Sequence, residues 1–180
     1  MVTPMRTRIV NPFTRVRLGA GIPLSRQVVG LVGLIRQVMD ELDGANPAWT
    51  LRLEESGDSM GTWDPDRLSQ VFSNLVANAI QHGRPEAGVT VKIDGLALDR
   101  VRVAVHNLGA VVPDLLPRMF EPLSGRAPHR HRAGGLGLGL YITREIVRSH
   151  GGEITVHSDE GTGTTFTVVL PRGAAEGAVP

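Results

Sequence analysis

The sequence predicts a mixed α/β domain in which a sheet is covered by helices on one face, and three observations predict it. Apolar residues recur at helical spacing in three separate stretches, strand-like alternation comes in neighbouring pairs instead of singly between helices, and 180 residues is a common size for one domain with a single core. In chain order, Val28, Leu31, Val32, Ile35, Met39 and Leu42 give an amphipathic helix over Ser25 to Leu42, stopping before Gly44 and Pro47. Leu51 and Leu53 alternate with Arg52 and Glu54 as a half-buried strand, after which Gly57, Asp58 and Gly61 mark turns. Asp64-Pro65 starts the second helix, because the Asp side chain caps free N–H groups and proline is tolerated at the first helical position. That helix runs to about Gln81, with Gly83 closing it. Val89 to Ile93 and Val101 to Val105 alternate as strands, and Pro113 to Met119 reads as a short helix. Leu138, Ile142 and Ile146 repeat at helical spacing up to Gly151-Gly152, and strands near Ile154 to His157 and Thr164 to Leu170 finish the domain.

Composition removes several classes of function. With 19 basic against 18 acidic residues the formal net charge is +1, too small a field for a dedicated nucleic-acid binder. The absence of cysteine excludes disulfides, thiolate metal sites and cysteine nucleophiles, and it fits a reducing, cytoplasmic setting. The longest apolar run, Val28 to Ile35, is far too short to span a bilayer, so no membrane contact by this chain is expected. Charge is uneven at the start: Arg6, Arg8, Arg15, Arg17, Arg26 and Arg36 all precede the first acidic residue, Asp40. A transit peptide has this composition, but Pro4, Pro12 and the stretch Gly19 to Pro23 break any long amphipathic helix there. Residues 1–23 are therefore read as a basic linker or the remnant of an upstream element, 24–172 as the domain, and 173–180 as a frayed tail.

On the second helix Leu68, Val71, Phe72, Leu75 and Ala79 form one apolar stripe, and Asn74 and Asn78 lie one turn apart on a flanking one. Asparagine is a poor helix former, costing about half a kcal/mol against alanine at each site. The pair either faces water or gathers two amides at one place beside the core. In the second case a carboxamide oxygen suits one coordination position on Mg²⁺, the others being phosphate oxygens and water. Gly134, Gly135, Gly137 and Gly139 form the run GGLGLGL ahead of a helix. It is either a phosphate cradle built from backbone N–H groups or a tightly packed strand in which Leu136, Leu138 and Leu140 alternate with glycine. The spacing is neither the dinucleotide fingerprint nor a P-loop, whose lysine is missing here. The polar stretch SGRAPHRHRA before it predicts a mobile surface loop whose Arg126, Arg130 and Arg132 either meet phosphates or are merely solvated.

Taken together, DPDRLSQVFSNLVANAIQHG, VHNLGAVVP, MFEPL, GGLGLGLYITREIVRSHGG and GTGTTFTVVLP resemble, in order, the asparagine box, first glycine box, phenylalanine box, second glycine box and last glycine motif of sensor histidine kinases. The resemblance covers about residues 25 to 172. It implies the two-layer Bergerat sandwich of the GHKL ATPases: a mixed, mostly antiparallel sheet backed by about three helices, with ATP under a flexible lid. By position it makes Asn78 the Mg²⁺ ligand and Asn74 its partner one turn earlier. Asn107 stands where most members carry the aspartate that accepts from the adenine amino group, with Gly109 two residues on. Asparagine keeps a carbonyl acceptor but loses the charge. Val111 replaces the second glycine of that box, and Gln81 a phosphate-contacting lysine, a contact that is either weakened here or supplied by lid arginines such as Arg126. Phe120 matches the lid-hinge aromatic and Thr164 the threonine near the adenine, while Gly135, Gly137 and Gly139, with Leu136 and Leu138 between them, match the phosphate side.

The resemblance implies a domain that binds Mg-ATP and donates the γ-phosphate to a histidine on a phosphoacceptor hairpin, in cis within a longer protein or in trans, with a response regulator downstream and no nucleic-acid partner. Hydrolysing relatives carry a glutamate base at the position of Asn74, so transfer is expected over fast hydrolysis. No histidine precedes His82, and FTRVRLGAGIPL resembles the exit of the hairpin's second helix, so the chain is expected not to phosphorylate itself. Two other readings remain at this stage: a regulatory module that binds nucleotide without transfer, and a serine kinase of the anti-sigma type.

Overall fold

The computed structural model describes residues 22–122 and 138–173. Two sheets and three α-helices result, in the order β1 (Gln27–Gly30), α1 (Leu31–Ala45), β2 (Leu51–Gly57), β3 (Met60–Trp63), α2 (Pro65–His82), β4 (Val89–Gly95), β5 (Arg100–Asn107), a 3-10 turn (Pro113–Arg118), α3 (Gly139–Ser149), β6 (Glu153–Asp159) and β7 (Gly163–Pro171). The main sheet has the strand order β2-β4-β5-β7-β6. Only β2 and β4 run parallel; the other three pairings are antiparallel.

Alternation decides which face of the sheet is covered. Val89, Val91 and Ile93 on β4, Val101, Val103 and Val105 on β5, and Phe166, Val168 and Leu170 on β7 are buried, and register sets Val91 opposite Val105 and Val105 opposite Phe166. Their neighbours in sequence, such as Lys92 and Arg102, are exposed, as a sheet with one wet face requires. The three helices lie over the apolar face, α2 in the middle against α1 and α3 and above β4 and β5. The mostly antiparallel sheet backed by three helices is the expected two-layer fold. Each fully buried valine, leucine or phenylalanine in this layer contributes about 1.5–3 kcal/mol of transfer free energy.

Helix α2 follows its local sequence closely. Asp64 accepts a hydrogen bond from the Arg67 N–H at 3.0 Å, Pro65 occupies the first turn, and Leu68, Val71, Phe72, Leu75, Val76 and Ala79 are buried. The start of the chain departs from the expected pattern. Residues 27–30 are not the first turn of a helix but strand β1, paired antiparallel with β3, and Val28, counted on the apolar stripe, is 72% exposed. Strand β3 itself was hidden behind Gly61, which reads as a turn residue; a Cβ there would lie 2.3 Å from the Trp63 ring, so the glycine makes room for that buried indole. The short helix expected at Pro113 to Met119 is present as a 3-10 helix over Pro113–Arg118, with no buried residue.

Long-range hydrogen bonds hold the small sheet to the large one. Trp63 Nε1 donates to the Pro171 carbonyl at 2.7 Å, and the Arg172 guanidinium donates to the carbonyls of Met60 and Asp58, both at 2.6 Å, and Gly95 at 2.8 Å. Residues just ahead of β1 also lie against the domain: the Ile22 N–H donates to Ser149 Oγ at 3.0 Å and the Ser25 N–H to Asp64 at 2.7 Å. Among the described residues no helix is long and apolar enough to cross a membrane.

Candidate functional site

The two carboxamides of α2 have different surroundings. Asn74 reaches the first turn of α3, its Nδ2 donating to the Gly139 carbonyl at 3.3 Å and to Thr143 Oγ1 at 3.4 Å. It is half-buried and faces a neighbouring helix. Asn78, one turn further on, is half-buried on the same flank. Helix α3 begins at Gly139 with Leu138 at its N-cap and no side-chain cap, so its first N–H groups are not taken by a capping side chain. Among the described residues no three His, Asp or Glu side chains cluster so as to hold a metal ion. A cation at this flank would therefore meet neutral carboxamide oxygen.

The C-terminal end of β5 forms the second part of the site. Asn107, the last residue of that strand, lies opposite Val89 on one side and Thr164 on the other and is 2% exposed. Its Nδ2 is buried and has no hydrogen-bond partner among the described residues. Leaving a buried donor unmatched costs about 1–3 kcal/mol, so this atom is unusual in a folded interior. Glycines surround it: a Cβ on Gly109 would sit 3.1 Å from that nitrogen and 2.1 Å from the His82 carbonyl oxygen, and one on Gly83 3.2 Å from the Asn107 Cβ. Only glycine lets the loop after β5 approach the end of α2 so closely.

A directed chain of hydrogen bonds fixes that loop. Thr164 Oγ1 donates to the Gly109 carbonyl at 2.6 Å, which uses its one proton. Ser158 Oγ, 2.8 Å away, must then donate to Thr164, and it accepts from the Val111 N–H at 2.9 Å. The relay runs from Val111 through both hydroxyls to Gly109 and leaves Thr164 only acceptor capacity. Val111 takes part in this relay through its backbone N–H. Two residues along β7 from Thr164, Phe166 meets Phe120 edge to face at 6.3 Å between ring centres, which anchors the segment after the 3-10 turn to the core. His82 ends α2 beside Gly109, and partial burial holds its imidazole below the ordinary value, so it is neutral at pH 7 and adds no charge to the site.

Of the residues singled out by sequence, the structure brings Asn107, Gly109 and Thr164 together at the end of β5 and joins Asn74 to Gly139, with Leu138 just ahead. Asn78 lies on the same helix flank as Asn74, and Phe120 against the sheet under Thr164. Arg126, Gly135, Leu136, Gly137 and the expected ATP lid fall within 123–137, outside the described residues. Sequence reasoning missed Ser158 and Gly83. The hairpin register that places Ser158 opposite Thr164 was the only signal for the former, and it needs the turn between β6 and β7 to be located first.

Comparison with known proteins gives consistent matches. A family model described as histidine kinase-, DNA gyrase B-, and HSP90-like ATPase matches residues 63–174. The sensor histidine kinase ZraS of Salmonella typhi is 40% identical over 109 residues, 60% of this chain and 22% of that protein. A bacteriophytochrome of Pseudomonas aeruginosa is 32% identical over 166 residues, 91% of this chain and again 22% of the relative. The chain thus spans about a fifth of the length of these two curated relatives. Among solved structures, full-length ShkA in complex with AMPPNP superposes with a TM-score of 0.71 at 28% identity, covering 87% of this chain and 33% of that one. The catalytic domain of histidine kinase ThkA does so with 0.68 at 27%, covering 83% and 97%.

Proposed function

The chain belongs to the histidine kinase-, DNA gyrase B-, and HSP90-like ATPase family, with an ATPase domain of the sensor histidine kinase type, and from that premise we propose that it binds Mg-ATP and donates the γ-phosphate to a histidine. The observation that carries the reading is the unmatched Asn107 Nδ2, buried between Gly83 and Gly109 at the end of β5. A base edge entering there would meet a donor that has no partner among the described residues. Asn107 reads the base edge, and Thr164, through the relay with Ser158, keeps the Gly109 loop in place beside it.

Asn78 would hold Mg²⁺ through its carboxamide oxygen, a hard neutral ligand, and the bound ion neutralises phosphate charge. The remaining work belongs to positioning. Asn74 ties the start of α3 to α2, so that uncapped N–H groups of α3 lie at a fixed distance from the metal-binding flank. Its amide is a poor base, which supports transfer to an acceptor over activation of water. On resemblance alone, Gly135, Leu136, Gly137 and Arg126 join Leu138 and Gly139 on the phosphate side.

The acceptor is proposed to lie on a phosphoacceptor hairpin, in cis in a longer protein or in trans, with a response regulator receiving the phosphoryl group in the cytoplasm. Residues 24–172 are the catalytic domain in this reading, 1–23 the link to the hairpin and 173–180 a tail. Calorimetric titration with a non-hydrolysable ATP analogue tests the binding step. Binding that requires Mg²⁺ is expected, and none to the folded chain would defeat it. Radiolabelled ATP with a separately made hairpin tests the transfer; no label on histidine in any cognate pairing would leave nucleotide binding without kinase activity.

A further inference from the structure

We propose that Asn107 makes the base pocket accept 6-oxopurine as well as 6-aminopurine nucleoside triphosphates. The inference rests on the nucleotide reading above and adds what the pocket selects. A carboxamide carries one acceptor and one donor side by side in nearly the same shape, and a half-turn of its terminal torsion exchanges them. A 6-aminopurine presents an exocyclic N–H donor beside the N1 acceptor, while a 6-oxopurine presents an O6 acceptor beside an N1–H donor. The two edges are reversed copies. A carboxylate offers acceptors only, so one facing position 6 holds the amino group and repels O6.

Whether the carboxamide discriminates depends on whether the protein fixes which end is which. Asn107 is 2% exposed, yet its Nδ2 has no partner among the described residues. The hydroxyls on the facing strands have no proton to spare for it: Thr164, opposite Asn107, donates to the Gly109 carbonyl, and Ser158 to Thr164. Beside the amide, glycines at 83 and 109 bring bare backbone close, since a Cβ there would stand 3.2 Å from the Asn107 Cβ and 3.1 Å from its Nδ2. Nothing described pins the orientation, so the amide adopts whichever one matches the entering base.

Equilibrium binding of three nucleotides to the full chain with Mg²⁺ tests this: ATP, inosine triphosphate, and purine riboside triphosphate, which lacks any group at position 6. Inosine triphosphate is expected to bind within about tenfold of ATP, and purine riboside triphosphate about tenfold or more below both, since an unmatched polar edge is what such sites reject. In Asn107→Asp the preference for ATP over inosine triphosphate is expected to rise to about a hundredfold or more. On the unaltered chain, inosine triphosphate weaker than ATP by more than about tenfold would overturn the proposal while leaving the nucleotide reading standing. Equal binding of all three would also overturn it, because position 107 would then not read the edge. Binding of none would overturn both readings together. The unaltered chain decides the matter even if the aspartate variant fails to fold.

Discussion

The N-terminal end of α2 matches each of its central polar groups, whereas the C-terminal end leaves one unmatched. At the first end the Asp64 carboxylate accepts from the N–H groups of Arg67 and Ser25, and the Asp64 N–H donates to His150 Nε2 at 3.0 Å. His150 Nδ1 donates in turn to the Ile146 carbonyl at 2.8 Å. Because a carbonyl only accepts and an N–H only donates, the tautomer is forced: the proton is on Nδ1 and Nε2 is bare. At the second end Asn107 is also buried, yet its amide nitrogen has no partner among the described residues. Matched polar groups inside a core tie elements together, and an unmatched one beside glycines is a place for something to arrive. The comparison separates the part of the helix that holds the fold from the part that serves the site.

The largest expected effect comes from the matched end. His150→Ala removes a buried ring and strands the Asp64 N–H, which is expected to lower stability by about 3–5 kcal/mol in urea unfolding. The nucleotide affinity of the folded fraction should remain in place; if affinity falls with stability, the two ends are one unit and the comparison breaks. Next, Asn78→Ala is expected to lower Mg-dependent affinity by about a hundredfold or more, some 2.7 kcal/mol. The same change should leave stability equal or raised by about half a kcal/mol, because alanine is the better helix former. Undiminished affinity in the folded variant would remove Asn78 from the metal site.

Asp64→Ala deletes a cap and is expected to cost about 1–2 kcal/mol without a specific effect on nucleotide. A loss below about 0.5 kcal/mol would mean that Pro65 and packing alone start the helix. The mildest lever is pH. Burial holds the His150 imidazole below its ordinary value of about 6.5, against smaller upward effects from the Ile146 carbonyl and Asp64 and with a further downward push from Arg26. The unfolded chain therefore binds the proton first as pH falls, so stability is full above about 6.5 and declines below it toward the lower folded value. A stability that does not decline across that window in unaltered protein, or declines equally in a His150→Gln variant, would contradict the assignment.

Much of this was legible in the chain itself. Asp64-Pro65 and the stripe Leu68, Val71, Phe72, Leu75, Ala79 announced α2 to within a residue, since a cap and a 3.6-residue period are local facts. The order of the five motifs announced the family. Strand β1 was not legible, because Val28 falls in phase with the helix that follows and only pairing with β3 draws it out as a strand. Nor was the role of His150, whose two partners include Asp64, 86 positions away.

By itself the sequence determined the elements whose signals are short-range: where α2 starts and stops, which faces of β4, β5 and β7 are apolar, and which residue types stand at each motif position. The tertiary structure alone decided which of those residues meet. Asn74 and Asn78 share a spacing, but packing of α3 turned one toward the Gly139 carbonyl. Asn107 was readable as an acceptor at a known place, yet only the approach of Gly83, Gly109 and Thr164 left its donor buried and unmatched. Hydrogen bonds are satisfied in three dimensions, so which donor lacks a partner is fixed when the elements close on one another.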